Sequence, residues 1–139
     1  MDIAEVQKFV AENHRGVLVA RKRDGWPQIT LVTPVIDTQG RVILHSRRAA
    51  YKVKNIRRDP RVSMLVMGED FSGSKYVQLH GTAEIIPQPE AMDLLIYWHR
   101  QARGEHPDWR AYRDKMKEEE QVVIRITIEK VNPSRGERQ

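Results

Sequence analysis

The chain has 139 residues, 40% of them hydrophobic and 31% charged, with a formal net charge of +5 and no cysteine. Such a length holds about one domain with one buried core and leaves no room for a separate cofactor domain. The lack of cysteine excludes disulfide scaffolds, zinc ribbons, thiol redox motifs and cysteine nucleophiles, while the positive balance leaves nucleic acid, anionic lipid and phosphorylated small molecules open as partners.

Residues 2–13 place Ile3, Val6, Phe9 and Val10 at helical spacing behind a capping Asp2, which predicts an amphipathic helix. Gly16 opens a strand over Val17 to Ala20, closed by Arg23-Asp24-Gly25, a hairpin signal because that turn needs positive φ. The partner strand spans about Trp26 to Ile36, with Pro34 marking an edge or a bulge. After a turn at Thr38-Gln39-Gly40, Arg41 to Ser46 forms a third strand. A basic segment follows, read as a loop and a short helix that stops before Asp59-Pro60.

Val62 to Met67 is a buried strand, residues 68–74 a polar loop, and Lys75 to Ile86 a long strand bent or broken at Gly81. Helices are expected at about 90–102 and 107–119, the second with Pro107 near its first turn. Gln121 to Val131 alternates as a closing strand, and 132–139 is a polar tail expected to fray. The order predicts a mainly β, α+β fold: one domain over 1–139, a small antiparallel barrel with flanking helices and a helical insertion at about 88–119. No apolar run reaches the ~20 residues of a membrane span. The first residues also lack a secretory pattern, so the cytoplasm is the expected compartment.

Charge is the most informative feature. Between Arg47 and Arg61 lie seven cations (Arg47, Arg48, Lys52, Lys54, Arg57, Arg58 and Arg61) against the single acid Asp59, a local net of +6 that leaves −1 on everything else. The plain reading of such a run is a solvated helix face; because it follows a strand ending in Ser46 and feeds a helix start, a hydroxyl, several cations and helix amides also suit a phosphate site. Only Tyr51 lies within the run, which supplies few stacking platforms and argues against nucleic acid.

Other chemistry is sparse. The sequence has no phosphate-binding P-loop, no Gly-x-Gly-x-x-Gly after a strand and no Gly-x-Ser-x-Gly elbow. His14, His45, His80, His99 and His106 show no pair at metal-ligand spacing, so no metal is expected and packing roles are assigned to them. The run Glu118-Glu119-Glu120 reads as a solvated helix end. With no self-sufficient nucleophile or acid–base pair, enzymatic activity would rest on a bound cofactor.

Three stretches, in this order and spacing, resemble the split-barrel flavin-binding family that includes pyridoxamine 5'-phosphate oxidase. They are Asp24-Gly25-Trp26-Pro27-Gln28-Ile29-Thr30, Ser46 followed by Lys52-Val53-Lys54-Asn55-Ile56-Arg57-Arg58-Asp59-Pro60-Arg61-Val62-Ser63, and Gly104-Glu105-His106-Pro107-Asp108-Trp109-Arg110-Ala111-Tyr112-Arg113. The strand piece Tyr76 to Ala83 fits as well, and the likeness runs from about Phe9 to Val131. Within that family the chain is most similar to the deazaflavin-using branch of flavin/deazaflavin oxidoreductases, whose members bind coenzyme F420.

The resemblance implies a homodimeric antiparallel split β-barrel with a cofactor groove at the subunit interface. It places Gln28, Thr30, Val32, Thr33 and Pro34 along the cofactor ring. Ser46, Arg47, Arg48, Lys52 and Lys54 would hold the phosphate and acidic tail. Lys52 stands at the motif's lysine, and the loop after Ser46 is one residue shorter than in the family pattern. The implied activity is hydride transfer from reduced F420 to an unsaturated or electrophilic organic substrate. An FMN-binding oxidoreductase of the same fold and a non-catalytic flavin, F420 or haem carrier are the alternatives. The local +6 suits F420, with its phosphodiester and several carboxylates, better than the single phosphate of FMN.

Overall fold

The computed structural model describes residues 1–70 and 75–132; part of the expected polar loop and nearly all of the expected tail lie outside them. Helix α1 (Ile3–Glu12) begins with a capping box. Asp2 Oδ1 accepts from the Glu5 amide at 2.8 Å and Glu5 Oε1 from the Asp2 amide at 3.2 Å. Strands β1 (Arg15–Arg21) and β2 (Pro27–Val32) form the expected hairpin, with Gly25 at φ 92° in its turn. Next come β3 (Val35–Ile36), β4 (Val42–Arg47) and α2 (Tyr51–Arg58). The chain continues through β5 (Arg61–Met67), β6 (Tyr76–Ile86), α3 (Ala91–Arg103) and α4 (Trp109–Glu118), and ends its described part in β7 (Gln121–Asn132).

The strands form one antiparallel sheet in the order β2-β1-β5-β6-β7-β4-β3. Strands β2 and β3 are consecutive in the chain yet stand at opposite ends of that order, so the sheet curls until its ends meet. The single strand expected over Trp26 to Ile36 is therefore two strands, parted at Thr33 and Pro34. Proline cannot donate to a ladder, and here it turns the chain from one edge to the other. The carbonyls freed at this corner are taken by side chains: Trp98 Nε1 donates to Thr33 at 2.8 Å, and His14 Nδ1 lies 2.9 Å from the Pro34 oxygen.

Two apolar cores result. Inside the curl, Leu18, Leu44, Met64, Leu79 and Ile124 pack with Val6 and Val10 of α1 and with Val53 and Ile56 of α2. Outside it, Val35, Ile43 and Val123 are covered by Leu95 and Trp98 of α3 and by Tyr112 and Met116 of α4. Helix α4 starts at Trp109 with Asp108 as its cap, two residues later than expected. Asn132, expected in the tail, is the last residue of β7. Strand β6 is continuous past Gly81, where the register with β7 shifts in a bulge. Among the described residues, no helix is long and apolar enough to cross a membrane.

Candidate cofactor-binding site

The basic segment folds into a turn and a helix, and its cations then diverge. Ser46 is buried at the end of β4, its Oγ donating to the Arg47 carbonyl at 3.4 Å. Arg47 pairs with Glu119 at 3.4 Å and Arg48 with Glu120 at 3.0 Å, while the Arg48 amide donates to the Glu120 carbonyl. The helix end is solvated as expected, with Glu118 and Glu120 exposed, and Glu119 and Glu120 there form surface ion pairs with two of the expected phosphate ligands. Arg61 grips Asp59 at 2.9 Å, and those hydrogen bonds bring the Asp59 carboxyl down to a pKa of about 2.

Lys52 stands apart from its neighbours. It is half-buried, makes no ion pair among the described residues, and burial pushes its ammonium pKa down. It belongs to the first turn of α2, whose cap residue Ala50 supplies no side-chain hydrogen bond, so the helix dipole adds positive potential to the same place. A partly desolvated, unpaired cation at an uncapped helix start favours an anionic ligand.

A different side of α2, that of Tyr51, Lys54, Asn55 and Arg58, and the β1–β2 hairpin enclose a groove of about 570 Å³. Lys54 lines it, its ammonium 5.5 Å from the centre of the Tyr51 ring. Across the groove stand Lys22 and Arg23 of the hairpin turn. Gln28 lines it too, its Oε1 accepting from Asn55 Nδ2 at 2.7 Å, and Asn55 Oδ1 in turn accepts from Arg58 at 3.1 Å. Arg58 also donates to the Arg21 carbonyl, tying helix to hairpin.

Strand β2 alternates against its own polarity. Gln28, Thr30 and Val32 are half-buried, and Val32 packs on the inner core. Ile29 and Leu31 face out, 65% and 84% exposed. Of the residues singled out from sequence, Gln28 and Lys54 meet in the groove, while Thr30 and Val32 continue the face of Gln28. Thr33 and Pro34 form the corner, and Ser46 and Lys52 lie at the β4–α2 turn. Arg48 instead lines a separate cavity with Arg57 and Lys117.

A family model described as pyridoxamine 5'-phosphate oxidase matches residues 3–135. The chain belongs to that family. The fold is also that of known structures. A conserved hypothetical protein, Rv2991, from Mycobacterium tuberculosis superposes with a TM-score of 0.79 at 29% identity, over 94% of this chain and 82% of that one. A structure named F420 reductase gives 0.71 at 20% identity, over 91% and 94%. HutZ, the heme storage protein from Vibrio cholerae, gives 0.70 at 18%, over 95% and 94%. The split barrel of this family is the curled sheet described above.

Two features of the site depend on contacts across the fold. The run Arg21-Lys22-Arg23 brings Lys22 and Arg23 to the groove only through the hairpin. His45 packs, as expected of it, and does more. It is the inner end of a chain of contacts in which Glu119, paired with Arg47, accepts from Gln121 Nε2 at 3.0 Å, while Gln121 Oε1 lies 2.8 Å from His45 Nδ1. Its ring meets Trp98 edge-on at 4.4 Å, and burial pushes its pKa down. His99 and His106 pack into a ring cluster with Trp109 and Tyr112, at centroid distances of 5.1 to 5.6 Å. No group of three His, Asp or Glu among the described residues could hold a metal ion.

Proposed function

We propose that this protein binds coenzyme F420 and uses the reduced form to deliver a hydride to an unsaturated or electrophilic organic substrate. One observation carries the reading: α2 holds an unpaired, half-buried Lys52 in its uncapped first turn and, through Lys54, lines a groove shared with Lys22 and Arg23 of the hairpin. A phosphodiester satisfies Lys52 and the helix amides, and a tail of carboxylates satisfies the rim. Bound there, the reduced deazaflavin supplies the hydride. The chain's own residues hold the anionic groups, set the ring against the Gln28-Thr30-Val32 face and keep water from it.

The site is completed by a second copy of the chain. Ile29 and Leu31 project from β2 beside Val19 and Val17 of β1, their ladder partners, and form an apolar face next to the groove. A homodimer through this face covers the apolar residues.

Titration with F420, FMN and haem side by side at moderate salt tests the reading. F420 is expected to bind tightest, and Lys52→Ala to weaken it by about 10- to 100-fold, the range of a lost charge-assisted hydrogen bond. Tight FMN or haem binding without F420 binding overturns it.

A further inference from the structure

We propose that the cavity between α2, the β6–α3 turn and the α4–β7 turn is a second anion site, which takes a small phosphate-type dianion. The cavity measures about 360 Å³. It is lined neither by Lys52 nor by any residue of the basic groove or of strands β1 and β2, so the proposal rests neither on the identity of the cofactor nor on the second copy.

Its wall is built around Glu120. This residue stands at φ 51°, in the left-handed region that residues other than glycine rarely adopt. Hydrogen bonds on both its backbone groups and its side chain hold it there. The Glu120 amide donates to the Lys117 carbonyl at 3.1 Å, its carbonyl accepts from the Arg48 amide at 2.9 Å, and its carboxylate accepts from Arg48 Nη1 at 3.0 Å. The turn out of α4 is thereby locked to the residue that leads into α2. Gln88 lines the cavity from the β6–α3 turn; one of its amide hydrogens goes to the Gln121 carbonyl at 3.2 Å and the second is unspent. Pro87 and Val122 supply the apolar lining.

Charge around this opening is unbalanced. Arg48, Arg57 and Lys117 line it against Glu120 alone, whose carboxylate is already engaged. Arg57 and Lys117 make no ion pair among the described residues. Each lies in the last turn of its helix, where a cation offsets the helix dipole. That accounts for each of them singly, but not for the gathering of three cations around one cavity, whose mutual repulsion no second acid relieves. A dianion relieves it. It takes the Arg57 and Lys117 side chains together with guanidinium hydrogens of Arg48 that Glu120 leaves unused, and it matches the local excess of charge better than a single carboxylate does.

The test is an NMR titration of isotope-labelled protein with inorganic phosphate, with chloride at the same ionic strength as the control. Phosphate is expected to give saturable shifts at the side chains of Arg48, Arg57 and Gln88 that chloride does not. Arg57→Gln and Lys117→Gln are each expected to weaken phosphate about fivefold, the upper range of an exposed ion pair. Glu120→Gln, which removes the competing carboxylate from Arg48, is expected to tighten it about twofold. Superimposable spectra of the free proteins away from the substituted residue establish that the variants fold. Equal responses to phosphate and chloride, unchanged affinity in both Arg57→Gln and Lys117→Gln, or shifts confined to Ser46 and Lys52 overturn the proposal and leave the cofactor reading standing. Displacement of phosphate from Arg57 and Gln88 by F420 also overturns it, because the cavity then belongs to the cofactor.

Discussion

The two halves of the curled sheet carry apolar residues on their outer faces, and the chain treats them in opposite ways. Over β3, β4 and β7 it lays α3 and α4, so that Ile43 and Val123 disappear beneath Leu95, Trp98 and Tyr112. Over β1 and β2 the described residues lay no such cover: Leu31 is 84% exposed, whereas Leu95 on the covered side is 0% exposed. Strand composition is similar on the two sides, so burial is decided by where the helical segment between β6 and β7 folds back. Cover supplied within the chain makes a core. Apolar strand residues left bare make the surface that the proposed homodimer would cover.

Truncating one leucine on each face separates those roles. Leu95→Ala is expected to cost about 3 kcal/mol of folding stability, the usual cost of a cavity in a packed core. The loss is read by thermal or denaturant unfolding and should not depend on protein concentration. The bare face should respond in assembly instead. Ile29→Glu with Leu31→Glu is expected to leave monomer stability within about 0.5 kcal/mol of the parent and to convert the dimer to a monomer in light scattering. A parent protein that is already monomeric at micromolar concentration breaks the comparison, because nothing then distinguishes the bare face from ordinary surface.

Much of this arrangement is legible in the chain. The hairpin at Asp24-Gly25, the alternation of Val122, Ile124, Ile126 and Ile128, and the capped first helix announce themselves locally, because turn chemistry and strand period are short-range properties. Long-range geometry is less visible. Pro34 signals an interruption, but only closure of the sheet makes it a corner held by Trp98 and His14, residues distant from it in sequence. The basic segment is conspicuous as a sum, yet folding redistributes it: Glu119 and Glu120 cancel Arg47 and Arg48, and the hairpin returns Lys22 and Arg23 to Lys54. Net charge along a sequence says how many cations exist, and pairing decides which remain free. The motif position of Lys52 is visible in the sequence, and its distinguishing property, partial burial without an ion-pair partner among the described residues, belongs to the fold.

The smallest expected effect also separates the faces, and it is a titration. His45 lies on the covered side, its ring against Trp98, and desolvation there lowers its pKa from the usual 6.5 despite the opposing hydrogen bond to Gln121. Above pH 6.5 the ring is neutral in both the folded and the unfolded chain and contributes no pH dependence. As pH falls through 6.5 the unfolded chain takes up a proton that the folded one refuses, so stability declines until the folded pKa is reached and is constant below it. One proton limits the slope to about 1.4 kcal/mol per pH unit. Relative to His45→Gln, which cannot titrate, the parent should therefore lose stability faster below pH 6.5 and at the same rate above it. Trp98→Ala, which uncovers the ring, should bring the His45 NMR titration midpoint back toward 6.5. A midpoint already at that value in the parent would mean that α3 shields the strand face without drying it, and that cover in cis is looser than its packing implies.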